Sequence, residues 1–388
     1  MQRMKAILRV RFRSRSHEKN TRRFGGTQAG AAAASNRIAR QAFVLRAWQG
    51  YEYKDAQMLS IRAMVNELSL KSGAEYDVHL LVEIKNLSLP IWSSHSSITG
   101  VFRSGHWPVQ WFSQEHPEYK FFWNWEMDVR YTGHYYELAN AISKWSDKQP
   151  RKGLWERSSK FYIPSVHGTW SKFVDIVGLA AYPEGVFPPT TYEKDNYEWG
   201  VGEPADLITF NPIFDVAKST WLHASDVTGY STKLELPPRR CSVVAVTRMS
   251  KRLLGIMYEE TWSKRHSMFP EVFPPSIALH YGLKAVYPPL PVHLDRAWNL
   301  EWLNRVFNWP TNEKESVFSF FDNAAPGFGE FNHLGSTFYF LAQFGSSLWR
   351  RWIGANEGGI GGQEWEAENG GTMCLRGALI HPVKNDGL

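Results

Sequence analysis

The fold is decided by a strand–helix–strand pattern that begins with Ala42-Phe43-Val44-Leu45-Arg46-Ala47-Trp48 and ends with Tyr76-Asp77-Val78-His79-Leu80-Leu81-Val82-Glu83-Ile84. Both runs are short and apolar, as expected of buried strands. Between them, Asp55 offers a helix N-cap and Gly73 a helix stop. The apolar residues between those two signals recur at helical spacing: Met58, Ile61, Val65 and Leu68. A unit of this kind is typical of parallel strands in an α/β sheet.

The next strong strand signal outward is Tyr119-Lys120-Phe121-Phe122-Trp123-Asn124-Trp125-Glu126-Met127-Asp128-Val129-Arg130-Tyr131-Thr132-Gly133. It is aromatic and apolar and ends in two carboxylates. Side chains alternate along a strand, so Glu126 and Asp128 are expected to point the same way. Such a pair is costly unless a positive charge lies between the carboxylates, and a hard divalent cation is the usual solution. The alternative is a structural strand end whose carboxylates pair with Arg130 and Arg151.

We predict an α/β fold with a mostly parallel or mixed central sheet flanked by helices. Further elements are indicated by the apolar patterns at Val109–His116, Ser242–Val246, Ser250–Trp262 and Ile277–Gly282. Residues 148–196 are rich in Pro, Gly and aromatic residues, which predicts long loops that cover a ligand at the carboxyl ends of the strands. No Gly-x-Gly-x-x-Gly or Walker loop is present, which argues against dinucleotide and P-loop sites.

Composition limits the class of protein further. The 388 residues are 43% apolar and 21% charged, as in a globular protein with an ample core. Aromatic residues make up 15% and include 18 Trp, which indicates either a surface for flat ligands or a Trp-rich core. The two cysteines, Cys241 and Cys374, form neither a disulfide framework nor zinc spacing. No apolar run reaches the ~18 residues of a membrane span, and no secretory signal is visible.

Basic charge is concentrated at the amino terminus. Residues 1–40 carry nine Arg and two Lys against Glu18, a net of +10, so the remainder carries −4 when the whole chain carries +6. Nucleic acid is therefore not an expected partner. We predict a basic, disordered leader over 1–40, compatible also with a transit peptide, followed by one catalytic-type domain over 41–388.

Other polar residues are candidates for chemistry. Glu203 and Asp206 follow the glycine-flanked Trp199 and could take a proton from an acceptor hydroxyl, or could simply favour a helix start. Glu271 lies beside an apolar helix that carries His280, which could be a third metal ligand or an ordinary core histidine. The residues that could contact a diphosphate and a base are Arg46, Arg151, Lys152 and Trp155.

Several motifs together resemble a known fungal family, the proteins with domain of unknown function 3405. The resemblance covers about residue 42 to the end and rests on Trp123–His134, Gln149–Arg157, Trp199–Glu203, Pro237–Arg240, Ala278–Val286 and Leu348–Trp352. That family is in turn similar to type-A glycosyltransferases. In those enzymes an acidic-x-acidic motif binds Mn²⁺ or Mg²⁺ and the donor diphosphate, a Trp-Gly-Gly-Glu stretch lies by the acceptor, and a later His often completes the metal site.

The resemblance implies roles for particular residues. Glu126, Asp128 and His280 would bind the metal, Glu203 with Asp206 would be catalytic, and Trp199 and Glu271 would lie on the acceptor side. It also implies a longer segment than residues 86–106 and, often, a membrane anchor in the Golgi or secretory system. No anchor or signal peptide is visible in this chain.

The expected function is transfer of a sugar from a nucleotide-sugar donor to a glycan or another hydroxyl acceptor, with Mn²⁺ or Mg²⁺ as cofactor. One alternative is a non-catalytic carbohydrate-binding protein on a degenerate transferase scaffold, favoured by the many Trp and the short 86–106 segment. A second alternative is a metal-dependent phosphoesterase that uses the same carboxylates.

Overall fold

The computed structural model describes residues 8–12, 41–83, 105–150, 154–179, 203–216, 225–230, 238–242, 245–290, 293–308, 336–337, 344–370 and 377–384. The strands are β1 (Leu8–Phe12), β2 (Gln41–Trp48), β3 (Tyr76–Glu83), β4 (Phe121–Glu126), β5 (Arg130–Tyr131), β6 (Leu207–Thr209), β7 (Phe214–Asp215), β8 (Val227–Thr228), β9 (Arg240–Cys241), β10 (Val246–Ser250), β11 (Ser267–Met268), β12 (Ala285–Val286) and β13 (Leu379–Ile380). The α-helices are α1 (Asp55–Met64), α2 (Trp107–Glu115), α3 (Tyr135–Asp147), α4 (Leu154–Arg157), α5 (Pro164–His167), α6 (Trp170–Leu179), α7 (Lys251–Trp262), α8 (Phe273–His280), α9 (Leu300–Asn308), α10 (Gly345–Trp352) and α11 (Gln363–Glu368). A π-helical turn, Val65–Leu70, continues α1.

The central sheet has the strand order β1-β3-β2-β4-β10-β6-β12. Strands β2, β3 and β4 are mutually parallel, and β6 and β12 are parallel to each other. Strand β10 runs antiparallel between β4 and β6, and β1 runs antiparallel on the edge beside β3. Five strands therefore run one way and two the other, which confirms the predicted α/β fold with a mostly parallel, mixed sheet.

Strand direction defines two ends of this sheet. Strands β2, β3, β4, β6 and β12 all finish at one end, called here the carboxyl edge. The opposite end, where β4 begins at Phe121 and β10 finishes at Ser250, is called the amino edge. Because β4 has five residue steps of ~3.3 Å, the two edges are about 16 Å apart along this strand. One metal ion therefore cannot bind side chains from both edges, because its ligand atoms lie within about 5 Å of one another.

Each face of the sheet is covered by helices and buries its own core. Phe122 on one face packs into the cluster that includes residues of α2, α7 and α8. Trp123 and Trp125 on the other face pack with residues of α1 and α3, and Trp123 stacks on Phe43 at 5.2 Å between ring centroids. Each buried indole removes roughly 150–250 Å² from water, which makes these rings large contributors to stability. Part of the high Trp content is therefore explained by the hydrophobic core.

The first strand comes from the basic segment predicted to be a leader. Leu8–Phe12 pairs with β3 from Leu8↔Val82 to Phe12↔Val78. Its apolar residues alternate with Arg9 and Arg11, which is the period of a strand. At least this part of the segment therefore belongs to the sheet, and the rest of 1–40 lies outside the described residues.

Two other predicted elements differ from the structure. The strand expected at Ser242–Val246 lies instead at Val246–Ser250, because its polar side chains find partners there. Arg248 donates to Ser143 Oγ and Ala205 O at 2.9 Å each. In addition, Ser250 caps α7 by accepting from the Leu253 N–H at 3.0 Å. Residues 148–196, expected to be loops, contain the helices α4, α5 and α6 within the described part.

Candidate metal centre

The acidic pair lies at the carboxyl edge, as its place at the end of a strand predicts. Glu126 is the last residue of β4, and its N–H donates to Ala245 O at 3.1 Å. The chain then turns, and the Val129 N–H donates back to Glu126 O at 3.2 Å. This turn brings the carboxylate of Asp128 next to that of Glu126. The two side chains thus face one point at the strand end.

A third side chain that could bind a metal comes from a segment far away in sequence. Strand β13 pairs with β5 in the register Leu379↔Tyr131 and Ile380↔Arg130. This register places His381 beside the turn, with its Nε2 3.6 Å from Glu126 Oε2 and 3.7 Å from Asp128 Oδ2. Ligand atoms of Glu126, Asp128 and His381 all lie within 4.8 Å of one another. The three side chains form what we call the acidic–histidine site.

The segment that carries His381 is held on both sides. The Val383 N–H donates to Asp128 O at 2.8 Å, and Thr132 Oγ1 and the Ala378 backbone exchange hydrogen bonds. On the other side, α10 begins at Gly345, where a Cβ atom would lie 2.5 Å from Pro382 O. Glycine is therefore required for this close approach, and the imidazole is positioned by main-chain contacts that are independent of any ligand.

Both carboxylates of the acidic–histidine site already have positively charged partners. Arg46, near the end of β2, donates from Nη2 to Glu126 Oε1 at 3.0 Å and from Nη1 to Gly105 O at 2.6 Å. Lys384 pairs with Asp128 Oδ2. Burial alone would raise the pKa of Asp128, but the charges of His381 and Lys384, with hydrogen bonds, outweigh it and lower that pKa below its ordinary value.

These partners differ from the arginines that the sequence suggested for a purely structural strand end. The Arg130 guanidinium donates to the carbonyls of Met127 at 2.5 Å and Val129 at 3.1 Å, so it supports the turn. Arg151 lies outside the described residues. The carboxylates are instead paired with the Arg46 guanidinium and the Lys384 ammonium, and the His381 imidazole lies beside both.

Glu271, predicted on the acceptor side, lies on the wall of the same site. Gly105 lies between Arg46 of the site and Pro270, the residue before Glu271. A Cβ atom on Gly105 would be 3.4 Å from Arg46 Nη1 and 3.4 Å from Pro270 Cγ. Oε2 of Glu271 is buried and has no hydrogen-bond partner among the described residues. The pKa of Glu271 is raised to about 8: burial is the main cause, a backbone hydrogen bond and Arg46 oppose it, and the charge of Glu126 adds to it.

His106 completes this wall, and no motif in the sequence pointed to it. Its Nε2 lies 2.9 Å from Pro270 O, so Nε2 carries the proton, since a carbonyl can only accept. Burial, with the charge of Arg46, lowers the pKa of His106 to about 3. His106 is therefore neutral at physiological pH and acts as a hydrogen-bond donor that fixes the loop preceding Glu271.

Asp206 and Glu203 lie at the amino edge, away from the acidic–histidine site. Asp206 accepts Arg252 Nη2 on Oδ2 at 2.6 Å, Arg252 Nε on Oδ1 at 3.1 Å and Ser250 Oγ on Oδ1 at 2.6 Å. Oε1 of Glu203 lies 3.8 Å from Arg252 Nη2. Because Ser250 pairs with Phe121 at the start of β4, the main chain beside these carboxylates is about 16 Å from Glu126 along the strand direction. The catalytic role predicted for them does not fit this placement.

His280 is also separate from the acidic–histidine site. At the end of α8, its Nε2 lies 2.6 Å from Pro238 O, which makes it a donor to a carbonyl. Burial lowers the pKa of His280, and the charges that affect it are those of Glu260 and His266, not those of Glu126 or Asp128. The histidine placed with the carboxylates is His381. Its signal in the sequence was weak: a short apolar strand at Leu379–Ile380 that ends in a polar side chain.

Family membership follows from the length of the sequence match. The profile of the family described as "Protein of unknown function (DUF3405)" matches residues 3–102 and 94–385. The chain belongs to this family. The match begins before β1, in agreement with the place of that strand in the sheet. Comparison with curated proteins gives no significant match.

The structure describes only two of the four residues predicted to bind the donor, and it does not describe Trp199 of the acceptor side. Arg46 lies at the acidic–histidine site, whereas Trp155 is buried in α4 within the core on the α2, α7 and α8 face, so its ring is unavailable for stacking. Arg151, Lys152 and Trp199 lie outside the described residues. Within the described part of the chain, every helix is too short or too polar to span a bilayer.

The raised pKa of Glu271 predicts a pH-dependent effect on stability. A carboxyl with a folded-state pKa of about 8 binds its proton more tightly when folded, so its contribution is full below the unfolded pKa of ~4.3 and is lost as pH rises through 8. We expect Glu271→Gln to raise the melting temperature by on the order of 2 °C at pH 9 and very little at pH 4.5. Thermal unfolding in EDTA measures this difference. The exposed Glu259→Gln is the matched control, and a gain that does not grow with pH would contradict the assignment.

Proposed function

We propose that this protein is a metal-dependent glycosyltransferase that moves a sugar from a nucleotide-sugar donor to a hydroxyl acceptor. The observation that carries the proposal is the convergence of Glu126, Asp128 and His381 at the carboxyl edge of a mostly parallel sheet. Ligands at the ends of such strands are the rule in open α/β folds. The motif resemblance to type-A glycosyltransferases supports sugar transfer as the reaction at this site.

The donor set is compatible with the expected cofactor. Metal–oxygen distances of ~2.0–2.6 Å allow ligand atoms on one ion to be roughly 3–5 Å apart, and the three side chains meet that limit at 4.8 Å. Two carboxylates with one imidazole suit Mn²⁺, and the oxygens suit Mg²⁺. When bound, the metal would supply Lewis-acid stabilisation of the leaving diphosphate.

Neighbouring residues of this chain suit the rest of a nucleotide-sugar donor. Trp48, Tyr51 and Tyr53 follow Arg46 and form an aromatic group, with ring centroids 4.5 Å apart for the first pair and 5.0 Å for the second. Trp48 is 47% exposed and Tyr53 37%. Exposed rings beside a charged site provide flat surfaces for a base or a sugar. Gln57 holds the Tyr51 hydroxyl and so orients the middle ring.

The proton of the acceptor hydroxyl needs a base, and Glu271 takes the place that Glu203 and Asp206 cannot fill. In the transfer, the bond between the anomeric carbon and the diphosphate oxygen breaks and its electron pair leaves with the diphosphate. A bond from the acceptor oxygen to that carbon forms, and the hydroxyl proton passes to the Glu271 carboxylate. With a pKa of about 8, only a minor fraction of this carboxyl is ionised at pH 7, and that fraction, which grows as pH rises through 8, is the base.

The proposal is tested by nucleoside diphosphate release from a panel of nucleotide sugars, with and without oligosaccharide acceptors. We expect release that requires Mn²⁺ or Mg²⁺ and stops in EDTA. Phosphate release from simple esters would favour a phosphoesterase instead.

The second candidate function is non-catalytic carbohydrate binding. It is favoured by the two internal cations, Arg46 and Lys384, which already neutralise Glu126 and Asp128. It predicts glycan binding that is indifferent to EDTA, together with no donor turnover. Isothermal titration with a set of oligosaccharides in EDTA separates the two functions.

A further inference from the structure

The Lys384 ammonium is paired with a carboxylate oxygen of Asp128 that a metal ion could bind. Its ammonium pairs with Asp128 Oδ2, the same atom that lies 3.7 Å from His381 Nε2. The Lys384 side chain is 69% exposed, whereas that of Asp128 is 15% exposed. The ammonium therefore approaches the acidic–histidine site from solvent and covers its outer side.

A divalent ion and this ammonium compete for Asp128 Oδ2, the oxygen that faces His381. At ~4 Å, two unit charges repel by about 4 kcal/mol at an effective dielectric constant near 20, and a divalent ion doubles that. An exposed lysine–carboxylate pair is worth only ~0–1 kcal/mol, so the lysine is the partner that leaves. Arg46 is less able to move, because it also bonds Gly105 O at 2.6 Å and is 23% exposed.

The main chain keeps the displaced ammonium close. The Val383 N–H donates to Asp128 O at 2.8 Å, one residue before Lys384, so the start of the side chain is fixed beside the acidic–histidine site. Only the flexible four-carbon stem has to move. An anion on the solvent side of a bound metal would lie within reach of the same ammonium.

Charge balance indicates which anion fits. With His381 in the neutral form that binds a metal, Glu126 and Asp128 carry −2, and Arg46 and Lys384 bring the sum to zero when no metal is bound. A divalent ion leaves an excess of +2, which the two negative charges of a diphosphate diester would cancel. We propose that Lys384 is a resident cation that yields Asp128 to the metal and then binds the diphosphate of the ligand. This inference rests on the proposed function, because it takes the diphosphate from the nucleotide-sugar donor.

The test compares Lys384→Met with the wild type in two titrations, and uses Lys172→Met, an exposed lysine of α6, as the charge-matched control. Mn²⁺ alone is titrated first, with electron paramagnetic resonance reporting the free ion. The 1:1 complex of Mn²⁺ with inorganic pyrophosphate is titrated second, by calorimetry. We expect Lys384→Met to bind Mn²⁺ about 3–10-fold more tightly and Mn²⁺–pyrophosphate about 10-fold more weakly, which are opposite changes.

The outcomes separate this inference from the proposed function. Unchanged affinities in both titrations, or a change equal to that of Lys172→Met, would show a static ion pair and overturn the role of Lys384. Failure of the wild type to bind Mn²⁺ would overturn it together with the metal site. The two opposite changes without any sugar transfer would support Lys384 and reject the glycosyltransferase. Equal melting temperatures of variant and wild type would establish that folding is unaffected.

Discussion

His381→Ala is expected to lower metal-dependent donor turnover by at least about 100-fold, which is roughly 3 kcal/mol of transition-state stabilisation. The imidazole is the third donor of the acidic–histidine site and lies within 4 Å of both carboxylates. Its removal would leave Glu126 and Asp128 without the ligand that fixes a metal between them. Mn²⁺ affinity should fall in parallel, measured by the same paramagnetic resonance titration of the free ion.

The matched control is His280→Ala, which removes the histidine that the sequence favoured. Its Nε2 bonds Pro238 O on a different part of the molecule, so turnover per folded molecule and Mn²⁺ affinity should match the wild type. Asp128→Asn should behave like His381→Ala. Full activity in His381→Ala, or loss of Mn²⁺ binding in His280→Ala, would contradict the assignment of the site.

Asp206→Ala is expected to destabilise the fold by about 2–4 kcal/mol without weakening Mn²⁺ binding to the folded protein. Asp206 is 3% exposed and accepts hydrogen bonds from both the Arg252 guanidinium and Ser250 Oγ, while its backbone O accepts from the Ser250 N–H. Its loss would remove the acceptor of Ser250 Oγ and of the buried Lys284 N–H, which donates to Asp206 Oδ2 at 3.3 Å, where β6, β10 and the start of α7 meet. The Ser250 N–H would keep its backbone acceptor. Denaturant unfolding measures the change in the free energy of unfolding.

Two further variants distinguish a structural role of Asp206 from a role in metal binding. Arg252→Ala removes a partner that is 52% exposed, so its cost should be nearer 1 kcal/mol. Asp128→Asn should change stability much less than Asp206→Ala, although it removes the more important carboxylate for metal binding. An Asp206→Ala variant that is as stable as wild type but inactive would return this residue to a catalytic role.

Local patterns predicted the parts of the fold that need only near neighbours in sequence. Strand β4 follows from its aromatic content, and the strand–helix–strand opening follows from apolar spacing. The strand ends at Glu126, so Asp128 comes beside it through a turn and not through the strand alternation that the sequence suggested. The signal at β1 was visible too, as the alternation of Leu8, Val10 and Phe12 with arginines, but net charge suggested a leader instead. Composition averages over a segment, whereas pairing with β3 depends on alternate residues.

Polar residues were harder to assign, because their roles depend on partners far away in sequence. Asp206 has the residue type of a base, yet Arg252 and Ser250 make it a structural carboxylate. Glu271 gave little signal, yet burial near Glu126 and Arg46 changes its chemistry. A side chain's ionisation and availability are properties of its surroundings, and those are set by packing.

Local patterns were enough to predict that two carboxylates follow an aromatic strand of an α/β sheet, because strand periodicity and apolar content are properties of neighbouring residues. The residues that join them depend on tertiary contacts. Because of strand direction, Glu203 and Asp206 lie at the opposite edge of the sheet. Pairing of β13 with β5 places His381 and Lys384 beside the carboxylates, although Lys384 is 256 residues away from Asp128. Such contacts arise from main-chain register between distant strands, which no local pattern encodes.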